Sequence, residues 1–217
     1  MGDAVAALAA LDKAIERDST REESYSRRAL VLGTLGRWPE AEASARRATI
    51  LSPGSANAWA SLGDALGQQG KAAEAVAASR RAIQIDSTES LFWYNLGVSL
   101  AATQDVAGAA GAYEKALAID STNVAAWNNL GTVYGGSGRL EEAKHAYAKA
   151  VEIEPSSIQA HMNLALAYLR LGDTARAAQE RANIQKMDPA AARQLSGFFK
   201  DLDQKSAPKT GPPPARR

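Results

Sequence analysis

Apolar and small residues recur along the chain with a period of 34 residues. The phrase "AWASLG" at 58–63 returns as "FWYNLG" at 92–97 and as "AWNNLG" at 126–131, so Trp59, Trp93 and Trp127 are evenly spaced. Apolar or small residues follow each tryptophan at +3, +4 and +7, which is the spacing of one face of an α-helix. The pattern therefore predicts one amphipathic helix in every period.

A second helical pattern fills the rest of each period. It carries alanine in register at Ala41, Ala75, Ala109, Ala143 and Ala177. The break between the two helices holds glycine in four units, at Gly36, Gly70, Gly138 and Gly172. Proline ends three of the second helices, as expected where a helix stops. Each unit is therefore predicted to be a helix, a turn and a second helix that packs tightly through small side chains.

Glycine also stands inside the first helix, four positions after the tryptophan, at Gly63, Gly97 and Gly131. Inside a helix glycine costs roughly 1 kcal/mol relative to alanine. We expect the backbone of the second helix to pass so close to these glycines that a side chain would block it.

The combined pattern of Trp, Leu, Gly and Tyr, then Ala, Tyr, Ala and Pro, closely resembles the tetratricopeptide repeat. Residues 124–157 match it at Trp127, Leu130, Gly131, Tyr134, Gly138, Ala143, Tyr147, Ala150 and Pro155. The resemblance implies an all-α fold, a right-handed α-solenoid of helix-turn-helix repeats. Arg28 stands where the first full repeat should have leucine, which predicts local distortion or an arginine stem lying along the surface.

The register divides the chain into units. We expect a partial repeat with only its second helix at 1–21, followed by full repeats at 22–55, 56–89, 90–123, 124–157 and 158–191. Leu195, Phe198, Phe199 and Leu202 then form one apolar face, which predicts a C-terminal capping helix at 192–205. We expect the Pro-rich basic tail at 206–217 to be disordered.

Composition narrows the classes of function. The 217 residues include 25 basic and 24 acidic ones, so charge gives no basis for binding nucleic acid or an anionic membrane. Paired arginines at 46–47 and 80–81 could meet an acidic partner, but nearby glutamates favour a solvated outer face. No apolar run approaches the roughly 18 residues of a membrane span. Arginine outnumbers lysine 16 to 9, which favours a GC-rich bacterial source. The compartment is left open by the sequence, with the cytoplasm favoured.

Residues for catalysis do not come together in the sequence. His161 takes the tryptophan position of its repeat and should be in the core, and His145 should be on the outer surface. The stretch "GQQGKA" at 67–72 lacks the spacing and the hydroxyl residue of a phosphate-binding loop. There is no cysteine, and the acidic residues lack metal-ligand spacing. We therefore expect no enzyme active site, no metal and no cofactor.

The candidate binding residues lie on the face of the first helices opposite the tryptophan stripe. By the resemblance, this face lines a concave groove in which extended peptides usually bind. We place there Arg27, Ser61, Asp64, Tyr94, Asn95, Val98, Asn128, Asn129, Thr132, Met162, Asn163, Leu166 and Arg170.

Asparagine recurs in this face two positions after the tryptophan, at Asn95, Asn129 and Asn163. A carboxamide both donates and accepts hydrogen bonds, so a row of them suits an extended peptide backbone. The alternative is that these amides pair with neighbouring groups of the protein itself.

We therefore expect a non-enzymatic scaffold that binds an extended protein segment in a neutral, amide-rich groove. Lysine and arginine are absent one and five positions after the tryptophans, so the family's carboxylate clamp for acidic C-termini is not expected. One alternative is a homo-oligomer formed through the N-terminal half repeat, where Ala7, Leu8, Leu11 and Ile15 lack a first helix. The other is the targeting arm of a larger enzyme.

Overall fold

The computed structural model describes residues 2–194, which form twelve α-helices and no strand. The helices are α1 Gly2–Arg17, α2 Glu22–Thr34, α3 Trp38–Leu51, α4 Ala56–Gly67, α5 Ala72–Ile85, α6 Ser90–Ala102, α7 Val106–Ile119, α8 Val124–Gly136, α9 Leu140–Ile153, α10 Ile158–Arg170, α11 Thr174–Met187 and α12 Pro189–Gln194. The all-α fold class predicted from the period is therefore confirmed.

The helices pack in successive pairs, from α2 with α3 to α10 with α11, and each pair packs on the next. The first helices also contact one another along the array, from α2 through α4, α6 and α8 to α10. The second helices in the described part have no comparable contact with one another. The first helices therefore lie closer together, which makes their exposed face the inner, concave side of the solenoid.

The turn inside each pair depends on one residue in the left-handed backbone conformation. Gly36, Gly70, Gly138 and Gly172 have φ between 71° and 80°. Gln104, the exception in the sequence pattern, takes the same conformation with φ of 64°. The turn geometry is thus kept in all five pairs, although a residue with a Cβ pays about 1–2 kcal/mol for it.

The tryptophans of the register are half-buried and each donates its indole N–H to a backbone carbonyl six residues earlier. The acceptors are the carbonyls of Pro53, Ser87 and Ser121, at 2.9–3.0 Å. His161 takes this place in the last pair, where it is buried as predicted, and its Nε2 lies 3.0 Å from the Pro155 carbonyl. Its Nδ1 contacts the carboxylate of Glu180. His161 is therefore used for packing between α10 and α11.

Two of the mid-helix glycines face the ring of a tyrosine from the second helix. A Cβ on Gly97 would lie 2.6 Å from Tyr113 Cε1, and a Cβ on Gly131 would lie 2.6 Å from Tyr147 Cε1. The expectation of a close backbone was wrong at these two positions, because the aromatic ring of the partner helix fills the space.

At Gly63 the backbone of the second helix does come close, as expected from the sequence. A Cβ there would lie 2.8 Å from the hydroxyl of Ser79 and 3.4 Å from the backbone carbonyl of Ala75. Ser79 stands in the register of the two tyrosines, but its short side chain is buried without a hydrogen-bond partner in the described part.

The first pair is tied to α1 by an ion pair and by apolar packing. Arg28 donates from Nε to Asp12 at 2.6 Å and from Nη1 to the Ser44 hydroxyl at 2.7 Å. Helix α2 is continuous, so the predicted local distortion is not found. The Arg28 side chain bonds α1 and α3 and does not lie along the surface. Leu8 is 7% exposed and packs with Leu32. The N-terminal face proposed for self-association is thus partly covered, because Leu8 points into the protein.

A buried carboxylate joins α3 to the next pair. Glu42 is only 9% exposed and accepts hydrogen bonds from Lys71 at 2.6 Å, Arg46 at 2.7 Å and Gln69 at 2.8 Å. Lys71 and Gln69 belong to the turn between α4 and α5. These bonds lower the pKa of Glu42 to about 2, and the bond from Lys71 has the largest effect on it.

Two predicted segments fall mainly outside the described residues. Only the first residues of the predicted capping helix at 192–205 are described, as part of α12. The predicted apolar face from Leu195 to Leu202 and the predicted tail at 206–217 lie outside them.

Replacing Gly131 by alanine tests the contact between Gly131 and Tyr147. We expect Gly131→Ala to lower the free energy of unfolding by about 1–3 kcal/mol, because the new Cβ displaces the ring. Gly111→Ala is the matched control, since Gly111 is mid-helix in α7 with no atom near a Cβ. It should raise the free energy of unfolding by up to about 1 kcal/mol through helix propensity. Urea unfolding measures both, and similar effects would contradict the proposed ring contact.

Replacing Glu42 tests the link between the pairs. We expect Glu42→Gln to lower the free energy of unfolding at pH 7 by about 1–3 kcal/mol, because charged hydrogen bonds are lost. The pKa of Glu42 is lowered from 4.5 to about 2. Its contribution is therefore complete above about pH 5 and is lost as the pH falls towards 2.

The measurement is urea unfolding of both proteins at several pH values from 7 to 2. The difference between them should shrink with falling pH. Glu152→Gln is the control, since the Glu152–Lys149 pair is on the surface and its loss should cost less than about 0.5 kcal/mol. A difference that stays constant with pH would count against this role of Glu42.

Candidate functional site

The residues predicted for the groove lie on the inner surface formed by α2, α4, α6, α8 and α10. None of the thirteen is buried. Arg27, Asp64, Val98, Thr132 and Arg170 are exposed, and the other eight are half-buried. The structure thus brings the thirteen residues to one side of the array. They differ in whether their polar atoms already form hydrogen bonds within the protein.

Helices α2, α4 and α6 enclose an open cavity of ≈ 480 Å³ on this surface. Its lining includes the predicted residues Arg27, Ser61, Asp64 and Asn95. It also includes Asn57 and Leu91, two residues that the sequence did not lead us to expect there. Two leucines of the lining are exposed, Leu30 by 60% and Leu91 by 56%. Asn57 and Leu91 each stand two positions before a tryptophan, which is the signal that could have found them.

This part of the groove is acidic. Glu22, Glu23 and Asp64 line the cavity with one cation, Arg27, which forms a surface ion pair with Glu23 at 2.6 Å. Desolvation in the groove raises the pKa of Asp64, against a smaller effect of a hydrogen bond with Gln68. The expectation of a neutral groove was therefore wrong here, because α2 contributes two glutamates from its first turn.

Two of the three register asparagines bind side chains of the preceding repeat. Asn129 Nδ2 donates to the Tyr94 hydroxyl at 3.3 Å, and Asn163 Nδ2 donates to Asn128 Oδ1 at 3.2 Å. In both cases the asparagine stands two positions after the tryptophan position of its own repeat. Its partner stands one position after the tryptophan of the preceding repeat. These amides therefore hold neighbouring first helices together.

Asn95 has no such partner. The residue in the equivalent place of the preceding repeat is Ala60, which has no polar side-chain atom. The Asn95 side chain makes no hydrogen bond within the described part of the chain, and it lines both the ≈ 480 Å³ cavity and an adjoining one of ≈ 140 Å³ with Asp64. It therefore presents both its donor and its acceptor to the groove.

The second half of the groove is more internally bonded. Arg170 Nη1 donates to the Gly135 carbonyl at 2.8 Å, and Tyr147 donates to the Thr132 hydroxyl at 3.2 Å. Arg170 and Thr132 line a cavity of ≈ 340 Å³ together with Asn163 and Leu166. The arginine is thus anchored across two repeats.

Neither catalytic nor metal-binding geometry stands out in residues 2–194. No group of three or more His, Asp or Glu side chains in this range is placed to hold a metal ion. Within the same range, every helix is too short or too polar to cross a membrane.

Comparison with known proteins places these helices in a family. A family model described as "Tetratricopeptide repeat" matches residues 26–90 and 128–192, and a second model of that description matches residues 90–123. No curated protein sequence matches the chain significantly.

Solved structures with a similar fold include three proteins that the chain covers almost completely. YrrB, described as a TPR protein with an unusual peptide-binding site, has 20% identity and a TM-score of 0.68 over 87% of this chain and 98% of that chain. PilF of Pseudomonas aeruginosa has 19% identity and a TM-score of 0.70 over 88% and 95%. MamA of Desulfovibrio magneticus RS-1 has 21% identity and a TM-score of 0.70 over 78% and 96%. At these identities the similarity shows the fold alone.

The two kinds of asparagine should differ in their effect on stability. Asn163→Ala removes the bond to Asn128 and one from Gln159, whereas Asn95→Ala removes none. Both substitutions gain similar helix propensity, so we expect Asn163→Ala to be less stable than Asn95→Ala by about 1–2 kcal/mol. Urea unfolding of the two variants measures this difference, and equal stabilities would show that the bonds between repeats contribute nothing.

Proposed function

The chain belongs to the tetratricopeptide repeat family, and we propose that it is a non-enzymatic scaffold whose concave groove binds an extended peptide segment of a partner protein. Protein interaction is the typical role of the family. The groove between α2, α4 and α6 is the principal contact region, and α8 and α10 extend it.

The observation that carries this proposal is the position of Asn95. Its carboxamide lies between two adjoining cavities and has no partner in the described part of the chain. A peptide unit needs one acceptor and one donor for its own N–H and C=O groups when it leaves water. Asn95 supplies both from one side chain.

The apolar surface around Asn95 supports the same function. Leu30, Leu91 and Val98 are 60%, 56% and 39% exposed on the same inner face. Exposed apolar surface in a concave region is typical of ligand-binding grooves. We infer that alternate side chains of the bound peptide are apolar and pack against these residues.

The acidic groups define the charge of the ligand. Glu22 and Asp64 face this cavity beyond the pair formed by Glu23 and Arg27. Charge complementarity favours a peptide with a lysine or arginine over an acidic one. The absence of a basic clamp at the equivalent positions agrees with this choice.

The second half of the groove contributes through other groups. The Asn129 and Asn163 amides are donors to neighbouring repeats. Contact with the peptide there is therefore assigned mainly to Thr132, Met162 and Leu166. YrrB, a protein of similar fold, is described as having an unusual peptide-binding site, which supports a peptide as the ligand here.

Selection of peptides against the full chain tests the function. Random ten-residue peptides selected on the wild-type protein should be rich in apolar residues and carry lysine or arginine. We expect Asn95→Ala to weaken their binding about 5- to 30-fold, which corresponds to one or two hydrogen bonds. Fluorescence anisotropy of labelled peptides measures the affinity.

Asn183→Ala is the matched control, because Asn183 lies on the second helix α11, away from the groove. Its affinity should stay within about twofold of wild type. Leu91→Ser should weaken binding as well, since it removes apolar contact area. Failure to select any peptide, or peptides that bind all three variants equally, would rule out the proposed groove.

A further inference from the structure

A second concave site lies on the outer side of the array, away from the peptide groove. Helices α7 and α9 form its walls, and the tryptophan stripe of α8 forms its floor, enclosing ≈ 550 Å³. We call it the outer pocket. Trp127, Leu130 and Tyr134 form its apolar floor, and Glu114, Glu141 and Glu142 form its acidic rim.

Aromatic and acidic groups of the outer pocket are set for a cationic, apolar ligand. Tyr134 donates its hydroxyl to Glu114, and burial together with this bond raises the pKa of Tyr134 to about 12. The Arg139 guanidinium lies 4.1 Å from the centroid of the Tyr134 ring. A guanidinium is thus already accepted at the edge of this pocket. Glu142 pairs with Arg139 at 3.0 Å and Glu141 pairs with Lys144, both on the surface.

The three rim carboxylates do not recur at the equivalent positions of the neighbouring repeats. The positions of Glu114, Glu141 and Glu142 in the preceding register are occupied by Arg80, Ala107 and Gly108, and in the following register by Ala148, Ala175 and Arg176. Positions used only for packing keep their character from repeat to repeat. Three carboxylates at one place therefore indicate a local role.

We propose that the outer pocket binds residues 211–217 of the same chain, which read Gly-Pro-Pro-Pro-Ala-Arg-Arg. Proline-rich segments dock on aromatic-lined surfaces, because their preformed extended conformation costs little entropy. The prolines pack on Trp127 and Tyr134, and Arg216 and Arg217 pair with the rim carboxylates. Arginine suits this rim, because its planar fork binds carboxylates and stacks on aromatic rings.

The chain is long enough to reach the pocket. Sixteen residues, 195–210, separate Gln194 at the end of α12 from this segment. With residues 195–205 in the capping helix predicted from the sequence and 206–210 extended, they span about 34 Å. Helices α12, α11, α10 and α9 pack in order, and three steps of about 8–10 Å each give about 30 Å across them. The segment therefore reaches α9 without moving any described helix.

Disulfide trapping tests the proposal in the full chain, which has no cysteine of its own. Ala118 is an exposed residue of the pocket wall, so the test protein carries Ala118→Cys and Ala215→Cys. The first control pairs Ala215→Cys with Gln84→Cys, the register equivalent of Ala118 in the preceding cleft. The second pairs it with Thr132→Cys in the concave groove. Circular dichroism checks that each variant is folded.

We expect the monomeric disulfide of the test pair to form at least about ten times faster than in either control, because docking raises the effective concentration. Adding Glu141→Gln and Glu142→Gln to the test pair should slow disulfide formation severalfold. Raising the salt concentration should slow it as well, because salt screens the ion pairs. Gel electrophoresis without reductant and mass spectrometry measure the products.

Three results would overturn the proposal. Equal rates in the test pair and the controls would show that the segment samples the surface without docking. Faster trapping at Thr132 would place the segment in the concave groove. Covalent dimers that dominate and increase with protein concentration would show that the pocket takes the segment of a second copy.

Discussion

The structure depends on how closely the side chains of each second helix approach the first helix of the same pair. At Gly97 and Gly131 a tyrosine ring lies where a Cβ would be, so the glycine makes room for the ring. The two helices of a pair are thereby held at a close distance, and the fully buried alanines of the second helix permit the same approach elsewhere. Because the pairs are compact, successive first helices can touch, and their exposed faces merge into one inner surface.

The function proposed for this surface comes from a departure from the repeat. Where a polar side chain stands one position after the tryptophan, as at Tyr94 and Asn128, it binds the asparagine of the next repeat. Ala60 leaves Asn95 without such a bond. The same amide thus holds neighbouring repeats together in two places and has no partner in a third, beside exposed leucines and more carboxylates than cations.

The outer pocket follows the same principle on the other face. Helix α8 forms the floor of this cleft, and three carboxylates surround it where the repeats directly before and after have none at the same positions. Packing positions recur because each pair must bury the same seam. Positions outside the seam are free to vary, so a ligand site in a repeat protein is most readily recognised where one repeat differs from its neighbours. His161 shows the limit of this rule, because it replaces a tryptophan yet keeps the contact with the carbonyl six residues earlier.

The sequence by itself determined the helices, their pairing into units, the glycine turns and the burial of His161, because these depend on residues close in the chain and on a period that repeats. It also assigned the thirteen groove residues to one face, since helical geometry sets which side chains share a side. Only the tertiary structure decided that rings and not backbone fill the space at Gly97 and Gly131, that Leu8 is covered, that the groove is acidic at α2, and that Asn95 differs from Asn129 and Asn163. These features depend on side chains from different helices, up to 35 residues apart, meeting in space. A period of 34 residues does not specify those meetings, because they follow from the distance and relative orientation of the packed helices.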